Sequence, residues 1–252
     1  MTRKQLLYLW QYLYAGSGGA IVDGLVLRPN FNDMANLSLT SPSNGSAVFN
    51  GSSDYVGTTL TPAAFPSGPF TLSAWVNTND NLDFRSIAGA DTAQAGVSGA
   101  FYFQIRNTGQ FAIVLLNAFS TQITAATGEV AQVGRWYYVT GVFDGSTLQI
   151  YVDGSLKGTT AWSGTRATLN TNVIIGSAYF NNAIVDFWDG NLANVAIWNR
   201  ALTSDEINSI MWKRYDLLTA GESTGLVAWY ALDDITGTSV PDSTGTYNAT
   251  AY

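Results

Sequence analysis

Neither histidine nor cysteine occurs anywhere in the 252 residues. Their absence removes Ser-His-Asp and Cys-His nucleophilic sites, zinc sites of the usual ligands, disulfides and a histidine pH switch. A chain without thiols is also indifferent to its redox compartment. Charge is sparse: 12% of the side chains are Asp, Glu, Lys or Arg, and the formal net charge is −7. Basic residues stand singly apart from Arg3-Lys4 and Lys213-Arg214. The basic stripe that phosphate-backbone binding needs is missing, so no nucleic-acid partner is expected. No apolar run approaches the roughly 20 residues that span a bilayer, so no membrane span is expected either.

What is present is apolar bulk. Hydrophobic residues make up 46% of the chain, enough to bury a large core within one β-rich domain.

The opening stretch, MTRKQLLYLWQYLYAGSGGA, imitates a signal peptide with two cations, an apolar stretch and then small residues. Gln11 interrupts that stretch and tyrosines crowd it. It reads better as a short helix with Thr2 as N-cap and Gly16 just past its end. Leu6, Leu9, Trp10 and Leu13 lie on one stripe, while Leu7, Tyr8, Tyr12 and Tyr14 leave no polar face opposite. A helix apolar nearly all round wants burial on several sides. It packs on its own domain or anchors the chain into a partner. Residues 1–46 are accordingly read as an N-terminal helix and extended arm, and residues 47–252 as the main domain.

From residue 47 the period changes to two. In FTLSAWVNT, Phe70, Leu72, Ala74 and Val76 alternate with Thr71, Ser73, Trp75 and Asn77, which makes a strand with one core face. FYFQIRNTGQFAIVLL is a hairpin turning at Asn107-Thr108-Gly109. WYYVTGVFDGSTLQIYVDGSLKGTT is a three-stranded meander, because Asp144-Gly145 and Asp153-Gly154 each sit where two alternating runs meet. NVIIGSA and NLANVAIWN add strands, giving an all-β, two-sheet antiparallel sandwich. One surface helix near 204–218 breaks the series: Thr203 and Glu206 have capping-box spacing, and Ile207, Ile210 and Met211 recur at helical spacing. Trp75, Trp136, Trp198 and Trp229 lie inside strands, where packing is their expected task.

AVFNGSSDYV, FTLSAWVNT, RWYYVTGVFDGSTLQIYVDGSLKG, NVIIGS and FWDGNLANVAIWNRALTSDEI follow one another in an order and at separations that resemble the concanavalin A-like lectin/glucanase superfamily. Within it the resemblance is to laminin-G-like jelly rolls of bacterial and phage type, over about residues 47–210. It is specific for a jelly-roll fold and weakly specific for function, since one scaffold carries unrelated sites. In that family a segment like LVAWYALDDITGTSVPDSTGTYNAT normally stands just before the strand that here reads AVFNGSSDYV; here it stands at the C-terminal side. The resemblance implies that residues 222–252 are a displaced strand and loop completing the sandwich, as in a circular permutation. Entry into a neighbouring subunit, with a homo-oligomer as the result, is the alternative.

Some members of the superfamily hydrolyse polysaccharides with Glu-x-Asp-x-x-Glu on one strand. This chain has no such pattern, so no catalysis is expected. The resemblance implies instead that acidic and amide positions near the displaced segment, Asp233, Asp234, Asp242 and Asn248, ligate Ca²⁺, for which hard oxygen ligands on loops are suited. Asp242-Ser243-Thr244-Gly245 reads equally as an ordinary turn. Trp162, Tyr179, Phe180, Phe187 and Trp188 lie in polar, loop-like stretches and are candidates for an aromatic platform that stacks on a sugar or seats a partner.

Three functions remain. The first is a virion surface component, a capsid decoration or tail-associated protein held by its N-terminal segment. The second is a secreted or cell-surface carbohydrate-binding or adhesion module, and the third, set well behind, is a hydrolase.

Overall fold

The computed structural model describes residues 45–92, 100–119, 121–180, 183–233 and 235–252. The helix expected at the start, with Leu6, Leu9, Trp10 and Leu13, and the acidic residue Asp234 lie outside the described residues.

In chain order the strands are β1 (Ala47–Asn50), β2 (Val56–Thr58), β3 (Phe70–Thr78), β4 (Arg85–Ala90), β5 (Phe101–Ile105), β6 (Phe111–Leu116), β7 (Gln122–Ala126), β8 (Trp136–Phe143), β9 (Thr147–Val152) and β10 (Ser155–Ala161). They continue with β11 (Ile174–Ile175), β12 (Ala178–Phe180), β13 (Ala183–Val185), β14 (Asp189–Trp198), β15 (Leu226–Tyr230), β16 (Ser239–Val240) and β17 (Ala249–Ala251). They form a seven-stranded sheet in the order β1-β14-β3-β8-β9-β10, with β15 also on β14, and an eight-stranded sheet in the order β16-β17-β2-β11-β4-β5-β6-β7. A two-stranded ribbon, β12-β13, forms a separate small sheet. Every strand pairing is antiparallel, and the two sheets make a jelly-roll sandwich.

The core follows the period-two pattern. Phe70, Leu72, Ala74 and Val76 of β3 meet Phe101, Phe103 and Ile105 of β5 and Phe111, Ile113 and Leu115 of β6 in one buried cluster. The two Asp-Gly turns differ in geometry: Asp153 (φ 50°) and Gly154 (φ 74°) are both left-handed, whereas at the first turn only Gly145 (φ 98°) is.

The outer face of the seven-stranded sheet is buried by a helical region. The stretch expected over 204–218 is divided into α1 (Ser204–Ile210), a 3₁₀ turn (Tyr215–Leu217) and α2 (Ala220–Ser223). The Thr203–Glu206 capping box is formed. α1 stops early because the indole N–H of Trp75 donates to the carbonyl of Met211 at 3.0 Å, the acceptor that a further turn would need. Trp212 then packs on Trp75, ring centroids 5.8 Å apart. A second capping box, Thr219–Glu222, opens α2, and Glu222 also receives Lys213 at 2.6 Å and Ser209 at 2.6 Å.

β15 joins the same edge of β14 as β1. Tyr230 lies opposite Val195 and Leu226 opposite Trp198, while Ala47 lies opposite Leu192 and Asn50 opposite Asp189. The two strands therefore run end to end in one direction, as a single edge strand made from the two ends of the domain. Where they meet, a Cβ on Gly45 would lie 3.3 Å from the Cβ of Asp233. β16 and β17 carry the chain to the other sheet, with β17 on β2. Trp229 is 2% exposed and packs edge-on to Trp198 at 6.1 Å.

Candidate functional site

The eight-stranded sheet presents its outer face through a row set by strand register. Thr250, Gly57, Ile174, Gly89, Tyr102, Val114 and Thr124 are successive cross-strand partners from β17 to β7. Their chain neighbours Val56, Ile175, Ala88, Phe103 and Ile113 face the core, so this row faces away from it. The β12-β13 ribbon lies against this face. A Cβ on Gly89 would meet Ala178 at 2.9 Å, so only glycine lets the ribbon seat so closely. The Tyr102 hydroxyl donates to the Tyr179 carbonyl at 3.2 Å.

At the β2-β17 side of this face three aromatic rings gather, those of Tyr55, Tyr252 and Tyr179. Tyr55 and Tyr252 stack with centroids 4.8 Å apart and planes 9° from parallel. The strand pairing continues to them, since the Tyr252 N–H donates to the Tyr55 carbonyl at 2.9 Å. The Tyr252 ring lies over Gly57, whose Cβ would be 3.1 Å from it. Tyr179 is half-buried, and its hydroxyl is pushed up first by burial and then by Tyr55, Asp91 and Tyr252. Tyr252 is 65% and Phe180 52% exposed, two of the few large aromatic side chains so open among the described residues. Aromatic rings held by a sheet with one face in water suit stacking on the apolar face of a sugar ring.

Acidic groups border the ribbon. Asp186 follows β13 with φ 56°, its carbonyl accepts from Ser86 N at 2.8 Å, and its carboxyl is raised, mainly by burial and then by Asp83, with Arg85 opposing. Ser86, cross-strand from Gln104 on the same face, is fully buried and its hydroxyl has no hydrogen-bond partner among the described residues. Arg85 is engaged by Asp80 at 2.7 Å and by the carbonyls of Gly51 and Phe187 at 3.1 and 3.0 Å.

The other expected site residues are scattered. Trp162 is half-buried, edge-on to Phe143 at 5.2 Å, and its indole N–H donates to Gly164 at 2.7 Å. Phe187 is half-buried. Trp188 is a correction: it is fully buried in the core. It stands two residues before Gly190 and four before Leu192, so the period-two pattern of β14 already points it inward. Of these candidates Tyr179 joins the Tyr55-Tyr252 stack, and Phe180 is exposed next to it in the chain. Tyr55 and Tyr252 escaped sequence reading, because only the pairing of β2 with β17 brings them together.

The acidic set around the displaced segment is built for hydrogen bonding. Asp242, 3% exposed, accepts from Trp229 N (2.8 Å) and Thr244 N (3.0 Å) on Oδ1, and from Thr244 Oγ1 (2.5 Å), Thr246 N (3.2 Å) and Tyr247 N (2.9 Å) on Oδ2. Asn248 is beside it, its Oδ1 accepting from Asp242 N at 3.0 Å. Asp233 is half-buried at the β15-β1 junction. Ca²⁺ takes 6–8 oxygen ligands at about 2.3–2.6 Å. Asp242, with five donors on its two oxygens, has no lone pair left to offer, and among the described residues no group of three or more acidic side chains could hold a metal. Asp242 is thus taken up by the hydrogen bonds of its own loop, while Asp234 lies outside the described residues.

A groove of about 90 Å³ at the edge of the sandwich is lined by Phe111, Glu129, Arg135, Tyr137, Val152 and Lys157 among others. It is far smaller than the roughly 300–1,000 Å³ of small-molecule pockets. Its charges are paired, Arg135 with Asp153 at 2.9 Å and Lys157 with Glu129 at 3.4 Å.

Two antiparallel sheets packed as a jelly roll, with exposed rings on one outer face, define a lectin-like sandwich. The family model for the concanavalin A-like lectin/glucanases superfamily, Laminin_G_3, matches residues 50–208, and the chain belongs to this family. No curated protein matches the sequence significantly. Among solved structures, the fold is similar to a candidate carbohydrate binding protein from Bacteroides ovatus ATCC 8483 (TM-score 0.64, 22% identity, 82% of this chain and 57% of that one). This chain thus spans little more than half of that protein. It is also similar to the heptameric SAP-like pentraxin of Limulus polyphemus (TM-score 0.54, 15% identity, 81% and 93%). A third similar structure is the CBM40 of the Ruminococcus gnavus IT-sialidase, bound to α2,3-sialyllactose (TM-score 0.53, 16% identity, 67% and 98%). At these identities the likeness establishes the fold.

Proposed function

We propose that this protein is a non-catalytic carbohydrate-binding module that holds a glycan against the aromatic rings on the outer face of its eight-stranded sheet. The observation that carries this reading is the cluster of Tyr55, Tyr252 and Tyr179 at the surface, with Tyr252 and the neighbouring residue in the chain, Phe180, exposed. The carbohydrate-binding descriptions of the Bacteroides and Ruminococcus proteins lend it support. The absence of His and Cys from the sequence, and of a Glu-x-Asp-x-x-Glu strand, supports binding without turnover. Glu206 and Glu222 are engaged in their capping boxes and by Arg200 and Lys213.

The virion reading rests on Leu6, Leu9, Trp10 and Leu13, outside the described residues, so glycan binding at or outside a cell surface is put first. The test is a broad glycan array with the full chain and with the Tyr179→Ala/Phe180→Ala double variant. Binding that the double variant loses at unchanged melting temperature is the expected result. An array without a single bound glycan would overturn the proposal.

A further inference from the structure

We infer that the aromatic surface selects uncharged glycans and discriminates against those ending in sialic acid or another carboxylated sugar, an inference that rests on the glycan-binding function proposed above. A sugar carboxylate needs a cation or a set of free donors to replace its water. Among the described residues, the groups shown around the rings supply no cation and bring carboxylates instead. Asp91, 2% exposed, is close enough to act on the Tyr179 hydroxyl, and Asp54 adjoins Tyr55. The carboxylate of Asp54 accepts from Asn50 N at 3.1 Å and Asn50 Nδ2 at 2.7 Å, so the side-chain amide beside the rings is already engaged.

The cations of the described residues are committed elsewhere. Arg85, Arg135, Lys157, Arg200, Lys213 and Arg214 each hold a carboxylate within 3.4 Å. Arg166 donates to the carbonyls of Pro66 and Gly68 and lies over the rings of Phe65 and Phe70 at 5.6 and 5.1 Å. Arg106 is the exception, its Nε buried without a partner at the turn that follows β5. β11 and β4 stand between β5 and β2. Three strand spacings of about 4.8 Å put β5 about 14 Å from the tyrosine stack, beyond the Debye length of about 8 Å at physiological salt. The rings offer what a neutral sugar uses, apolar stacking without charge, whereas the Ser52 and Ser53 hydroxyls in the loop before Tyr55 are engaged by Asn50 and Asp54.

The experiment titrates the full chain with neutral oligosaccharides that the array identifies and with the α2,3-sialylated counterpart of each, at low and at physiological salt. The expected result is binding of the neutral glycan, with the sialylated form at least about tenfold weaker at low salt and the gap narrowing as salt is added. Asp54→Asn, at unchanged melting temperature, is expected to narrow the gap about two- to threefold. Sialylated glycans bound as tightly as neutral ones overturn the inference and leave the binding function standing, and Arg106→Ala then shows whether that cation is responsible. If no glycan of either kind binds, the function itself is overturned, and the inference with it.

Discussion

Replacing Asp242 with alanine should destabilise the sandwich more than any other single loop change. The carboxylate ties the buried backbone of Trp229 in β15 to the loop before β17, and so joins the two places where the displaced segment enters the sheets. Of its five donors, Thr244, Thr246 and Tyr247 lie on loop residues that are half-buried or exposed and can turn to water. The Trp229 N–H cannot: it is buried, and an orphaned buried donor costs about 1–3 kcal/mol. Hydrogen bonds to a charged group contribute about 1.5–3 kcal/mol each, discounted here for rehydration of the loop. A total loss of about 4 kcal/mol follows, or about 8–16 °C in melting temperature for a domain of this size. Asp242→Asn keeps one acceptor oxygen and should lose about half as much. Urea unfolding followed by tryptophan fluorescence gives the free energy directly. A loss below about 1 kcal/mol for Asp242→Ala would refute the hub and leave its hydrogen bonds as bystanders.

Chelation should not matter: wild-type protein with excess EDTA and with millimolar Ca²⁺ should melt within about 1 °C, whereas a saturated site would shift stability by about 2.7 kcal/mol at 100 times its Kd. Removing residues 222–252 should expose the edge of β14 and leave Trp198 without Trp229, giving aggregation on gel filtration; a soluble monomer of unchanged melting temperature would contradict this. Burial opposes the charge of Glu222, but hydrogen bonds from Lys213, Ser209 and Thr219 outweigh it and hold its carboxyl below the ordinary 4.5. Its stabilisation is therefore full above that value and is lost as pH falls through the lower folded-state pKa, so Glu222→Gln should flatten the acid limb of a stability-pH curve. Asp144 acts in the same sense: slight burial works against its charge, but Thr147 and Ser146 hold it at about 2 instead of 3.8. The contribution of this turn should fade between those two pH values, which an unchanged acid limb in Asp144→Asn would deny.

The fold was legible because its local signals agree. Alternation at Phe70 to Val76 and at Phe101 to Leu115 marked the core faces, the two Asp-Gly pairs marked the meander, and Thr203 with Glu206 marked the helix start. Where a long-range partner intervenes, local pattern stops informing. The helix ends at Met211 because Trp75, 136 residues away, takes its carbonyl. Trp188 looked loop-like because the polar Asp186 and Asp189 flank it, yet the register of β14 points it inward. The platform was only half visible: Tyr179 and Phe180 stand in a recognisable loop, but the stack of Tyr55 on Tyr252 exists only after β17 pairs with β2. Asp242 and Asn248 carry ligand-type side chains, and sequence could not tell that five donors had already filled the carboxylate.

The most direct test of the account is where a bound glycan touches the protein. Backbone and aromatic chemical-shift mapping of the full chain, titrated with the tightest neutral glycan from the array, should move the resonances of Tyr55, Tyr179, Phe180 and Tyr252 and leave those of Tyr137 and Phe119 in place. Shifts centred on the Arg135-Tyr137 groove or on the Phe119 loop, with the four rings unmoved, would contradict it.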